Sequence, residues 1–250
     1  MSPGAAAGSA SAAGAPGLRD VGVVIVAAGA GTRAAGVAGE LKQFRWIAGK
    51  PMLLHSLQRF QARSDVAMVV CVLPKAQAGD PPPWIFQSDT DRLLVTQGGA
   101  TRAESVRNGL EDLTGECQYV LIHDAARPLA TDATIERVVR EIRKGRGAVA
   151  ALPVVDTLKA VDATGRITST VDRAGLWRAQ TPQGFPREMI LRAHEAAMKS
   201  GRDATDDAAL CEALGLEVVV VRGSERAMKV TEEADFARAD ALRNLEDPSA

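Results

Sequence analysis

The sequence predicts an α/β fold: a doubly wound, mostly parallel sheet with a β-hairpin inserted late in the chain. Three observations carry this. Short continuous apolar runs such as Val21–Ala27 (VGVVIVA) and Val66–Leu73 (VAMVVCVL) read as strands buried on both faces of a parallel sheet. Segments with helical spacing of apolar residues alternate with those runs. One segment, Asp156 to Val171, alternates polar and apolar residues around the turn Asp162-Ala163-Thr164-Gly165, the signature of an antiparallel hairpin.

The elements follow in order. Strand Val21–Ala27 is followed by a helix that Pro51 can open, with Leu53, Leu54, Leu57 and Phe60 on one face. Strand Val66–Leu73 comes next. Pro74 to Asp91, with Pro81-Pro82-Pro83, reads as irregular structure. Arg92–Thr96 is a strand. Thr101 and Glu104 form a capping box for a helix that presents Ala103, Val106, Leu110 and Leu113. Strand Tyr119–Ile122, a helix with Ile135, Val138, Val139 and Ile142 on one face, and strand Ala148–Val155 precede the hairpin. Helices at about 186–200 and 205–214 and a strand Glu217–Val221 follow. Thr231 is expected to cap the last helix, with Glu232 and Glu233 in its first turn, where the helix dipole favours acids.

Composition narrows the function. At 250 residues, 46% hydrophobic and 24% charged, the chain is long and apolar enough to bury a real core. Its net charge of -1 argues against a surface built for nucleic acid. No apolar run approaches the roughly 20 residues that span a bilayer, so no membrane is expected. Cys71, Cys117 and Cys211 have neither disulfide nor metal-ligand spacing, which fits small core residues in a reducing cytoplasm. Residues 1–17 are almost entirely Ala, Gly, Ser and Pro and lack large apolar side chains. Residues 1–18 are therefore expected to be a disordered leader, with 19–250 a single domain whose β-arm lies at about 155–172.

The chemistry gathers where strands end. The first strand runs into Ala27-Ala28-Gly29-Ala30-Gly31-Thr32-Arg33, where small residues let backbone N–H groups approach phosphates and Arg33 adds a fixed cation. This is neither a dinucleotide fingerprint nor a Walker loop, and a flexible surface loop has the same look. Lys42 is close enough to serve a phosphate, although a lone lysine is usually solvated. Asp124, at the end of a buried strand, is a candidate Mg2+ ligand; the competing reading is a turn cap paired with Arg127. His123 is as well explained by a structural hydrogen bond as by a catalytic role and is left out of the catalytic set. Gly98–Arg102 suits either a contact to base or ribose or a plain turn. Lys229 joins the last strand to the last helix, at a connection that can return to the same sheet edge.

Taken together, the motifs resemble one family. Ala27–Arg33 (AAGAGTR), Leu41–Phe44 (LKQF), Gly98–Val106 (GGATRAESV), His123–Pro128 (HDAARP) and Val154–Lys159 (VVDTLK) are followed by Val171–Trp177 (VDRAGLW), Gln180–Gln183 (QTPQ), Thr205–Ala208 (TDDA) and Met228–Thr231 (MKVT). This order is similar to that of the 2-C-methyl-D-erythritol 4-phosphate cytidylyltransferases of the non-mevalonate isoprenoid pathway, over nearly all of Val21 to Leu245. The resemblance implies a Rossmann-like sheet, a β-arm that helps form a homodimer, and Mg2+-dependent transfer of CMP from CTP with release of pyrophosphate. It implies that Ala27, Ala28, Gly29 and Gly31 line the triphosphate and base, that Gly99, Arg102 and Ser105 contact the cytidine end, and that Asp124 and Ala125 serve the ribose and metal region. Arg33 and Lys42 match transition-state stabilisers. Thr157 and Arg173 match arm residues that reach the substrate phosphate across a dimer. Thr181, Thr205 and Lys229 match further substrate or metal-site contacts, Arg127 is placed with the substrate, and Lys229 joins Arg33 and Lys42 as a catalytic cation.

The chain departs from the pattern at Leu41, where the family often has Pro, at Thr32, often basic, and in the longer stretch 34–40. Its end at residue 250 is expected to leave no room for the fused cyclase domain that some members carry. Two alternatives stay open: a cytidylyltransferase for another polyol phosphate such as ribitol 5-phosphate, and a nucleotide-binding module without catalysis. A dehydrogenase fits less well, because the dinucleotide fingerprint and its ribose-binding acid are missing.

Overall fold

The computed structural model describes residues 18–29, 41–202 and 204–244. The expected leader, apart from its last residue Leu18, and the loop residues Gly31, Thr32, Arg33 and 34–40 lie outside the described residues.

In chain order the strands and helices begin with β1 (Val21–Val26), the short pair β2 (Trp46–Ile47) and β3 (Lys50–Pro51), α1 (Met52–Gln61), β4 (Val66–Leu73), α2 (Lys75–Gly79), β5 (Leu93–Gln97) and α3 (Arg102–Glu111). They continue with β6 (Tyr119–Asp124), α4 (Asp132–Ile142), β7 (Gly147–Pro153), β8 (Leu158–Val161), β9 (Ile167–Val171) and β10 (Trp177–Pro186). The chain closes with α5 (Arg187–Ser200), α6 (Asp207–Glu212), β11 (Val218–Arg222) and α7 (Glu233–Asn244).

Among the described residues, seven strands form the central sheet in the order β11-β7-β10-β6-β1-β4-β5. All neighbours pair in parallel except β10, which runs antiparallel to both β6 and β7. The buried apolar strands alternate their side chains between two cores. Val21, Val23 and Ile25 of β1 face one layer with Leu53 and Phe60 of α1 and Ile135 and Val138 of α4. Val24 faces the other, with Val106 and Leu110 of α3, Ile190 of α5 and Leu210 of α6. Helices therefore cover both faces, the doubly wound arrangement expected. A third, smaller cluster joins Ile47, Met52, Leu129, Val230 and Phe236, so α7 packs over the segment that carries Lys42.

The structure corrects the sequence reading at four places. Strand β10 was not expected. Its Gln180, Thr181 and Gln183 are polar yet buried, and Pro182 interrupts the apolar run, so nothing in the pattern reads as a strand. Pro74 to Asp91 holds α2 and two 3-10 turns rather than a bare loop. Thr101 does cap α3, accepting from the Glu104 N–H at 3.1 Å, but Glu104 reaches back to the Ala100 N–H at 2.7 Å, one residue upstream of a standard capping box. Thr231 does not accept a capping bond in the way expected: its hydroxyl and N–H both donate to Asp235, at 2.9 and 2.8 Å.

The hairpin β8–β9 stands outside the main sheet as expected. Almost every residue from Val155 to Ala179 is exposed, including Val161, Ile167 and Trp177.

Candidate nucleotide-binding site

From β1 the chain steps to β4 and β5 on one side, then returns to β6 on the other. The reversal leaves a crevice beyond the carboxyl ends of β1 and β6, the place where open α/β sheets bind ligands. Here the Ala27 N–H donates to the Val72 carbonyl at 2.8 Å and the Ala125 N–H to the Val26 carbonyl at 3.1 Å, ending the parallel ladder. A cavity of about 480 Å³ opens above that edge.

One wall is Ala27, Ala28 and Gly29. Gln43, buried beneath, donates to the carbonyls of Ala27 at 2.7 Å and Gly29 at 3.3 Å and so fixes the start of the Gly-rich loop. The opposite wall is Gly99 to Arg102, at the amino end of α3. Gly98 lets the two walls meet: a Cβ there would stand 2.2 Å from the Ala28 Cβ, so no larger residue fits without moving one wall. The Gly99 N–H donates to Ser105 Oγ at 3.1 Å, and that hydroxyl donates to the Thr101 carbonyl at 2.9 Å. Ser105 thus shapes the turn whose backbone lines the cavity.

The floor carries the charge. Asp124 ends β6, paired across the sheet with Val26. Lys229 Nζ donates to its Oδ2 at 2.7 Å, and Arg102 approaches Oδ1 at 3.4 Å. Burial alone would raise the carboxyl's pKa, but the charges of Arg102 and Lys229, the Lys229 hydrogen bond and the more distant Arg127 outweigh it and hold it at about 2. Asp124 is therefore ionised at neutral pH. Lys42 lines the cavity too, its Nζ donating to the Val230 carbonyl at 2.8 Å beside Lys229. Three cations, Lys42, Arg102 and Lys229, and one acid, Asp124, are the charged side chains of the lining among the described residues. In a chain of net charge -1, that local excess of positive charge suits a polyanion.

The comparisons with known proteins agree with this geometry. The sequence model of the IspD family, 2-C-methyl-D-erythritol 4-phosphate cytidylyltransferase, matches residues 21–244. The chain belongs to that family. A protein of that name from Cereibacter sphaeroides strain KD131 is 43% identical over 226 residues, covering 89% of this chain and 96% of the relative. The bifunctional enzyme IspD/IspF of Rhodospirillum rubrum is 47% identical over 227 residues, 90% of this chain. The match spans 57% of the length of that bifunctional relative. The crystal structure of 2-C-methyl-D-erythritol 4-phosphate cytidylyltransferase from Thermus thermophilus superposes with a TM-score of 0.76 at 34% identity, covering 90% of this chain and all of that one.

Of the residues that the family resemblance singled out, the structure brings Ala27, Ala28, Gly29, Lys42, Gly99, Arg102, Ser105, Asp124, Ala125 and Lys229 to one cavity. Gly31 and Arg33 fall outside the described residues. Arg127, expected to hold substrate, does not line the cavity: its guanidinium donates to the carbonyls of Ala227 at 2.7 Å and Ala179 at 3.3 Å. It ties β10 and the 225–227 turn together; its charge acts on Asp124 from a distance, and the hydrogen bond between the two is the backbone one, Arg127 N–H to Asp124 carbonyl at 2.9 Å. Thr181 is likewise behind the site. Its hydroxyl accepts from the Asp124 N–H at 3.0 Å and donates to His123 Nδ1 at 3.0 Å. Thr157 and Arg173 are exposed on the arm, where Arg173 donates to the Val155 carbonyl, and Thr205 is exposed ahead of α6; none of the three lines the cavity.

His123 is the structural histidine. It is fully buried, its Nε2 faces the Arg127 carbonyl at 3.0 Å, and its ring meets Phe60 edge-on at 5.0 Å. A carbonyl only accepts, so Nε2 carries the proton and Nδ1 takes the Thr181 hydrogen. Sequence reasoning gave no role to Gln43 or Asp207. Both sit inside quoted motifs, but the partners of Gln43 are 14 and 16 residues away and those of Asp207 are 13 and 105, distances at which no local pattern speaks.

Proposed function

We propose that the chain transfers CMP from CTP to 2-C-methyl-D-erythritol 4-phosphate, releasing pyrophosphate, as a cytoplasmic enzyme of isoprenoid precursor synthesis. One observation carries the reading beyond family membership: the described lining offers cations and an ionised acid but no general base. His123 is locked behind the strand with both ring nitrogens engaged, and Asp124, at about pKa 2, is too weak a base to take a proton at neutral pH. A phosphate monoester is already ionised and needs no base. Its difficulty is the meeting of two anions, which Lys42, Arg102 and Lys229 are arranged to offset. Arg33, outside the described residues, is assigned the same task by the family pattern.

Mg2+ fits this site as a shared ion. The described residues contain no cluster of three metal-ligating side chains, and Mg2+ characteristically takes one or two carboxylates with the rest of its shell from phosphates and water. Asp124, a hard oxygen donor kept ionised, would hold it. The ion supplies neutralisation of triphosphate charge. The chain's own contribution is to keep Asp124 deprotonated, to hold the phosphates against the 27–29 backbone and to aim its cations at them.

A homodimer through the arm is part of the same proposal. A two-stranded hairpin is marginal in water on its own, and this one exposes Val161, Ile167 and Val171. A second copy covering it would bring Thr157 and Arg173 to a neighbouring cavity. The three free, buried cysteines suit a reducing compartment.

The test is pyrophosphate release from CTP. It should require Mg2+ and 2-C-methyl-D-erythritol 4-phosphate together. Faster turnover of ribitol 5-phosphate would move the chain to that sister activity, and CTP binding without turnover of either would make it a binding module. Light scattering on the purified chain should return the mass of a dimer.

A further inference from the structure

We propose that Asp207 is a positioning residue of the nucleotide site: it holds the Arg102 guanidinium at a fixed place beside Asp124, so that a cation is presented to the bound nucleotide instead of closing on that acid. The inference rests on the proposed CTP site and names a further residue that tunes it.

Asp207 opens α6 and is 1% exposed. A carboxylate so buried is costly unless both oxygens are engaged by strong partners. Oδ2 accepts from Arg102 Nη1 at 2.8 Å, and Oδ1 faces His194 Nε2 at 3.1 Å. His194 is itself buried and its Nδ1 has no partner among the described residues, so the ring's donor is Nε2, aimed at Asp207. The backbone of α6 is set with equal care. Gln183 of β10 donates to Asp206 at 2.7 Å and accepts from the Ala208 N–H at 3.1 Å, which brackets Asp207 from both sides. The unexpected antiparallel strand therefore places α6, and α6 places the acid.

The distances divide the charges into two pairs. Lys229 takes Asp124 at 2.7 Å, Asp207 takes Arg102 at 2.8 Å, and the contact between Arg102 and Asp124 is left long at 3.4 Å. Without the Asp207 charge, the strongest carboxylate left to Arg102 is Asp124, and a bidentate closure there would withdraw both groups from the ligand. Arg102 lines the cavity with its side chain 28% exposed, and Asp207 does not line it, so the effect on the nucleotide must pass through Arg102.

The experiment is a double-mutant cycle of Asp207→Asn and Arg102→Gln, read by the Kd for CTP in calorimetry and by KM and kcat in the pyrophosphate assay. Asp207→Asn should weaken CTP about tenfold, about 1.4 kcal/mol, in both Kd and KM, with kcat at saturation changed by less than about threefold. In the Arg102→Gln background the same change should do nothing further, because the group it acts through is gone. If Asp207→Asn folds poorly, the comparison of Arg102→Gln with the double variant decides alone, since removing both charges leaves no buried ion unpaired. Unaltered CTP affinity in Asp207→Asn, or an effect that adds in full to Arg102→Gln, would overturn the proposal. Failure of the function reading looks different: wild-type protein would not release pyrophosphate from CTP with the polyol phosphate.

Discussion

His123 should make the protein lose stability in mild acid. Removal of the ring from water pushes its pKa down, the Asp124 charge and the Arg127 carbonyl push it up, and the Arg127 charge pushes it down again; burial wins and leaves it at about 4, against 6.5 when solvated. Between those values the unfolded chain binds a proton that the folded chain does not. Stability therefore rises with pH across the window, is complete above about pH 6.5, and is lost as pH falls towards 4. The full gap is worth about 3 kcal/mol at 1.36 kcal/mol per pH unit, a substantial part of the roughly 5–15 kcal/mol by which a domain is stable. The check is urea unfolding at pH 7.5 and pH 4.5 for the wild type and for His123→Gln, whose amide can still donate to Arg127 and does not titrate. His55 titrates in both proteins and cancels. The wild type should lose about 2–3 kcal/mol more than the variant between the two pH values. Parallel losses would refute the assignment. The measurement stays above the window of Asp124, whose stabilisation begins to go only below 3.8 and is lost as pH falls through about 2.

Three further outcomes follow from the same contacts. Lys42→Ala should fold normally and lose about a hundredfold or more in kcat, the scale for removing one preorganised charge from a transition state; near wild-type kcat would remove Lys42 from the chemistry. Thr181→Val keeps the shape but strands the Asp124 N–H and His123 Nδ1, both buried; the cost should be about 2–4 kcal/mol in urea unfolding, and an unchanged midpoint would show that Thr181 is not the node described. Gly98→Ala puts a methyl group 2.2 Å from the Ala28 Cβ and must part the two walls, so CTP affinity measured by calorimetry should fall about tenfold or more, and retention of affinity would show that the walls can separate without effect.

The parts of this molecule that were legible in the sequence are those in which burial writes a local pattern. β1 and β4 are continuous apolar runs because helices cover both faces of the sheet, and their bounds follow the runs closely. The face Ile135, Val138, Val139 and Ile142 of α4 is buried throughout for the same reason. β10 was illegible because its middle is stabilised by side-chain hydrogen bonds instead of apolar contact. Gln180 trades two bonds with Ser224, Gln183 brackets the start of α6, and Thr181 stands where the pairing with β7 slips between Ala179 and Gln183. The site shows the same division. Residues that present backbone or charge at strand ends could be named from the motifs. What Arg127 and Thr181 bond to could not: both stand near Asp124 in space, but the Arg127 Nη atoms reach the Ala227 and Ala179 carbonyls, and the Thr181 hydroxyl takes the Asp124 N–H.

That division has a chemical reason. The proposed reaction needs an ionised acid at the end of a buried strand, where desolvation pushes its pKa up. The chain solves this from two sides. Behind Asp124, Thr181 satisfies its backbone N–H and hands its own hydrogen to a histidine that is kept unprotonated, so no cation forms in the core. In front, Lys229 and Arg102 stabilise the carboxylate and open on the cavity, with side chains 43% and 28% accessible, Arg102 keeping its bond to Asp207. In the proposed complex a triphosphate competes with Asp124 for Lys229, and the acid it releases becomes available to a hard metal ion. The groups behind the strand have no such freedom, being buried and fully committed. Substitutions in front should therefore appear in substrate binding and turnover, and substitutions behind should appear first in stability.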